Sequence, residues 1–71
     1  MKSTGIAEDH PGVRIQARRE RLGWTRQELA EKLGTTRMTV WRLEKGKTQI
    51  RANQLPRLAE VLRTTPARLV A

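Results

Sequence analysis

The chain has 71 residues and a formal charge of +8, from fifteen Lys and Arg against seven Asp and Glu, with one His and no Cys. That length leaves room for one small domain with a modest core and none for a second, pocket-bearing lobe, and the missing cysteines exclude a disulfide framework and a thiolate zinc site. So large a cationic excess costs self-repulsion and draws phosphates, which makes a polyanionic partner the economical explanation, with a merely soluble basic surface as the bland alternative.

Taken in chain order, residues 1–11, MKSTGIAEDHP, are polar, lack periodicity and read as a disordered arm. From about Gly12 to Leu22 the spacing of Ile15, Ala17 or Arg18, Arg19 and Leu22 predicts a first helix, ended by Gly23. Thr25 followed three positions later by Glu28 is a capping box, so a second helix is expected to begin at Arg26. Its buried face is Leu29, Ala30 and Leu33, while Arg26, Glu31 and Lys32 point elsewhere. Gly34 stops it, because glycine alone enters the left-handed region without steric cost and so suits a tight turn between two helices. Thr35 and Thr36 supply the next cap. The apolar spacing resumes from Arg37 with Val40 and Leu43 and ends near Lys45 and Gly46, cationic and then glycine, as a helix C-terminus prefers.

Gly46 to Ala52 reads as a loop. Gln54 to Leu62 is a predicted fourth helix with Leu55, Leu58, Ala59 and Leu62 inward, where Pro56 is tolerated because it lies in the first turn. Thr65 and Pro66 open a short fifth helix toward Leu69 and Val70. No segment alternates as a strand does, so the expectation is an all-α fold of five short helices. No apolar run is long enough to span a membrane and the N-terminus lacks the order of a secretory signal, so a cytoplasmic protein is expected.

The run RIQARRERLGWTRQELAEKLGTTRMTVWRLEKGKT, Arg14–Thr48, carries LGW before a capped helix, ELA, GTT at the turn and LEKGKT at the close of the third helix. With these markers in register, about residues 12–70 resemble the Cro/cI-type (XRE) helix-turn-helix family, and within it the DNA-binding domains of phage repressors. The resemblance implies a compact five-helix, lambda-repressor-like DNA-binding domain over 12–71, after an arm over 1–11. It also implies a transcriptional regulator, usually a repressor, that binds a palindromic double-stranded DNA operator as a homodimer in a bacterial cell or phage-infected host.

Carried over by position, Thr36, Arg37, Met38 and Arg42 stand where the family places third-helix residues that face bases in the major groove. An arginine there donates two parallel hydrogen bonds to guanine O6 and N7, which assigns Arg37 and Arg42 that role; Met38 is suited only to a thymine methyl. The phage repressor most resembled reads bases largely with glutamines here, so a different operator, richer in G·C pairs, is expected. Arg26 stands at a family phosphate contact at the second helix's N-terminus, where backbone N–H groups already favour an anion. Thr35, Trp41, Lys45, Lys47, Thr48, Gln49 and Arg51 complete the expected contacts to the DNA backbone, although for Trp41 packing on the neighbouring loop, extending the core, is the preferred reading. Trp24 occupies a family core position. Arg19 and Glu44 are expected as a structural ion pair between the first helix and the end of the third, and Gln54, Arg57, Leu58, Arg63 and Thr64 as a weak dimer surface completed on DNA.

An enzyme is not expected: the sole His, His10, falls in the arm, Cys is absent, and no acid pair shares a plausible cleft. Neither a metal site, a cofactor nor a small-molecule ligand is expected. An antitoxin or activator whose helix-turn-helix also binds a protein is the competing reading, weakened by the absence of a tail after Ala71. RNA binding is disfavoured, since there is no Tyr or Phe and two Trp supply all the stacking. The lack of a linker favours 71 residues as the native length over the N-terminal part of a longer repressor.

Overall fold

The computed structural model describes residues 10–70; most of the expected arm lies outside the described residues. Among the described residues there are five α-helices, one 3-10 turn and no strand, in agreement with the all-α expectation.

Helix α1 spans Pro11–Arg21, one residue earlier at each end than the periodicity predicts. The shift has a local cause. His10, expected in the arm, is the N-cap, its Nδ1 accepting the Gly12 N–H at 2.9 Å, and Pro11 opens the helix without a donor to satisfy. At the far end Leu22 is the C-cap, giving its N–H to the carbonyls of Arg18 and Arg19.

Helix α2, Arg26–Leu33, opens on the predicted capping box: the Glu28 N–H donates to Thr25 Oγ1 at 3.0 Å, and the Thr25 N–H to Glu28 Oε1 at 2.7 Å. It closes on Gly34, in the left-handed region at φ 73°, with the Thr35 N–H reaching back to the Ala30 carbonyl at 2.9 Å. Helix α3, Arg37–Glu44, starts from Thr36, whose hydroxyl accepts the Thr39 N–H at 3.2 Å.

The fourth helix is shorter than expected. Ala52–Gln54 forms a 3-10 turn in which Gln54 reaches back to accept the Arg51 N–H at 3.0 Å, and α4 proper spans Leu55–Val61. Its C-terminus is closed from across the molecule. Arg18 donates from Nε to the Leu62 carbonyl at 2.8 Å and from Nη2 to the Arg63 carbonyl at 2.7 Å. Those bonds brace Arg63 in a left-handed conformation, φ 59°, that costs a non-glycine residue roughly 1 kcal/mol or more. Helix α5, Pro66–Val70, is capped by Thr65 and tied to α1 through Arg14, which donates to the Arg68 carbonyl at 3.2 Å.

All five helices feed one core: Ile15, Leu29, Ala30, Val40, Leu43, Leu58, Ala59, Leu62 and Leu69. Leu22, Leu33 and Leu55, expected inward, are half-buried against it. Ala17 is exposed, so Arg18 is the member of that pair on the inner face. Leu58, placed by resemblance among the dimer residues, is 2% exposed and belongs to the core instead. Trp24 packs on the core edge, half-buried, between the Lys32 ammonium at 4.6 Å and the Arg63 guanidinium at 5.9 Å. Among the described residues no helix is long and apolar enough to cross a membrane.

Candidate nucleic-acid interface

One buried carboxylate organises the candidate surface. Glu44 ends α3 with its side chain wholly excluded from solvent. A carboxylate at that end faces unpaired carbonyls and the negative pole of its own helix, so it persists only with strong cationic partners. It has two. Arg19 from α1 donates Nε to Oε2 at 2.6 Å and Nη2 to Oε1 at 3.2 Å, and its Nη1 holds the Trp24 carbonyl at 2.7 Å. Arg26 from the first turn of α2 donates Nε to Oε1 at 2.7 Å. The hydrogen bond to Glu44, against the opposing effect of burial, raises the Arg19 pKa above its ordinary value, so this arginine stays charged.

The second guanidinium was not legible from sequence, which sets Arg26 away from the core. The side chain is 29% exposed and spends Nε on Glu44, leaving its terminal amino groups for other partners. It is therefore an arm of the network as well as a candidate phosphate contact. Arg26 also lines a cleft of about 240 Å³ with Arg37, Met38 and Trp41. Trp41 is half-buried in that cleft and is not among the apolar residues packed on the core.

The remaining third-helix candidates lie outward. Thr36, Arg37, Met38 and Arg42 are exposed, while Val40 and Leu43 face the core and Glu44 the ion network, so helical periodicity separates an outward face from a packing face. Thr35 is half-buried at the turn. Lys45, Lys47, Thr48, Gln49 and Arg51 are all exposed along the segment that follows α3, continuing the cationic face. Gly46 turns that segment at φ 74°, with the Lys47 N–H bonded to the Arg42 carbonyl at 2.9 Å. The arrangement offers exposed guanidinium groups on a braced helix, with further cations on the segment that follows it. No cluster of His, Cys, Asp or Glu able to hold a metal ion is found among the described residues.

Comparison with known proteins bears on the family and the fold. A family model described as helix-turn-helix, HTH_3, matches residues 15–69. An uncharacterized HTH-type transcriptional regulator of Sinorhizobium medicae (strain WSM419) is 36% identical over 53 residues, which is 75% of this chain and 38% of that protein. A second such regulator, from Rhizobium meliloti (strain 1021), matches with the same identity and coverage. The chain thus spans well under half the length of these two curated relatives. Among solved structures, the P22 c2 repressor protein in complex with a synthetic operator superposes with a TM-score of 0.79 at 27% identity, over 84% of this chain and 91% of that one.

Proposed function

The chain belongs to the helix-turn-helix family, and from that premise we propose that it is a sequence-specific double-stranded DNA-binding transcriptional regulator, acting in the cytoplasm as a repressor. The observation that carries the reading is the exposure of Arg37 and Arg42 on the outer face of a helix whose inner face is core and whose end is fixed by Glu44. A helix held at both ends fixes where its outward guanidinium groups emerge, and such groups pairing with base edges in the major groove are what base discrimination needs. In this reading Thr36, Arg37, Met38 and Arg42 meet base edges. Arg26, Thr35, Lys45, Lys47, Thr48, Gln49 and Arg51 position the duplex through phosphates and sugars, and Trp41, in the cleft beside Met38, meets the junction of sugar and base edge. The likeness to the P22 c2 repressor protein in complex with a synthetic operator supports the choice of repressor. Two copies on a two-fold operator, with half-sites about 34 to 36 Å apart, satisfy B-DNA geometry.

The test is selection of bound sequences from a pool of random duplexes. A two-fold motif with half-sites one helical turn apart is the expected result. Equal retention of every sequence, with affinity set by salt alone, overturns the proposal.

A further inference from the structure

Met38 is a large apolar side chain left 53% exposed on the face where its neighbours Arg37 and Arg42 also emerge. Val13 on α1, another exposed hydrophobic, shows less of itself at 38%. Trp41 stands three residues after Met38 and four after Arg37, so on a helix the indole neighbours both the thioether and the guanidinium. Together with Arg26 they line the cleft between α2 and α3.

An apolar lining set among cations suits a ligand that is anionic outside and locally apolar inside. A duplex major groove has that character at one kind of point: the C5 methyl of a pyrimidine is the apolar group that base edges present there. A guanidinium paired in plane with guanine O6 and N7 lies beside the base stacked on its 5′ side, so a methyl on that pyrimidine falls between the guanidinium and the next apolar side chain. Thymine carries this methyl, and so does 5-methylcytosine, whereas uracil and unmodified cytosine lack it.

Resting on the DNA-binding reading above, we propose that Arg37, Met38 and Trp41 together read a methyl-bearing pyrimidine followed by guanine, so that the chain accepts TpG and 5-methyl-CpG steps alike and responds to cytosine methylation. Arg37 supplies the hydrogen bonds to guanine. Met38 and Trp41 cover the methyl and exclude water from it.

The test starts from the selected operator. The guanine read by Arg37 is located as the position that Arg37→Ala relaxes, and the preceding pyrimidine is made thymine, uracil, cytosine or 5-methylcytosine in otherwise identical duplexes. Affinities are measured by fluorescence anisotropy at fixed salt. Burial of one methyl group corresponds to roughly a fourfold gain in affinity, so thymine over uracil and 5-methylcytosine over cytosine are each expected near that ratio. Met38→Gln is expected to abolish both preferences and Met38→Leu to retain them; circular dichroism checks that each variant is folded. Equal affinities within both pairs overturn the inference while leaving the operator motif, and with it the DNA-binding reading, intact. So do a selected half-site with no pyrimidine–guanine step and a Met38→Gln variant that keeps the methyl preference. Absence of any selected motif removes the DNA-binding reading and this inference with it.

Discussion

Arg26 Nε and Glu44 Oε1 lie 2.7 Å apart, so a single ion pair joins the first turn of α2 to the last turn of α3. An arginine held through Nε keeps a planar fork of terminal amino groups, which a lysine lacks. If that fork meets one phosphate per half-site, Arg26→Gln lowers affinity for every sequence alike. The slope of log K against log salt is then expected to become shallower by about 0.9 for each phosphate that is no longer neutralised. Titrations at several salt concentrations, on cognate and scrambled duplexes, check this. A slope identical to that of the parent chain is the result against it.

The same carboxylate sets a stability prediction. Arg19 and Glu44 are both nearly excluded from solvent, with side-chain exposures of 8% and 0%. Removing Glu44 strands the buried Arg19 guanidinium and costs about 3 to 5 kcal/mol, a large part of what a domain this size has, whereas removing Arg19 leaves Glu44 its bond from Arg26. Glu44→Ala is expected to fall in that range by urea denaturation, Arg19→Ala below it, and the double variant to lose clearly less than the sum of the two. The raised Arg19 pKa adds a sign: its stabilisation is fully present below the ordinary arginine range and fades only as pH climbs through the higher folded value. No loss attributable to Arg19 is therefore expected between weakly acidic and weakly basic pH. Additive losses in the double variant contradict the coupling.

What was legible in the sequence was the local grammar. Thr25 with Glu28, Thr36, Gly34 and Gly46 act through neighbours within a few positions, and the structure uses each as a cap or turn. Residues whose partners are remote in sequence were not legible. Spacing allows Arg18 on the inner face of the first helix but says nothing of its partners, the carbonyls of Leu62 and Arg63, which reach it only when the chain folds. Arg26 reads as a free phosphate ligand because nothing near it in sequence announces Glu44. His10 was missed for another reason: histidine is rare as an N-cap, although its ring nitrogen accepts the Gly12 N–H as an oxygen would. The outward set on α3 was legible through the family resemblance, and the helical period, which turns Val40 and Leu43 to the opposite side, agrees with it.

Gly12 gives a packing prediction. A Cβ there would overlap the carbonyl oxygens of Leu43 and Glu44, so the start of α1 is seated directly on the backbone at the end of α3. Backbone, unlike a flexible side-chain end, has little room to yield. Gly12→Ala is expected to destabilise the domain by about 1 to 3 kcal/mol despite alanine's better helix propensity. Each kcal/mol corresponds to a fall of about 4 to 8 °C in Tm for a chain of this size. Thermal unfolding followed by circular dichroism measures it, and a Tm unchanged or raised would show that α1 rides free of α3.

Arg37 and Arg42 carry the last prediction, because both are exposed on α3 and each is expected to govern one base position. Removing a guanidinium that pairs with guanine O6 and N7 forfeits about 1 to 3 kcal/mol of discrimination at that position. Removing one that holds a phosphate weakens all sequences together and shifts the salt dependence instead. The two roles separate in one experiment, in which Arg37→Ala and Arg42→Ala are each put through the random-duplex selection beside the parent chain. Loss of information at a single, different position per half-site for each variant is expected. Thr36 makes a useful contrast, since its hydroxyl is already committed to the Thr39 N–H and Oγ1. Thr36→Ala should thus lower helix stability by about 0.5 to 2 kcal/mol through removal of the cap, whatever it does to base preference. A uniform drop across all positions for both arginine variants would reassign them from reading bases to gripping the phosphate chain.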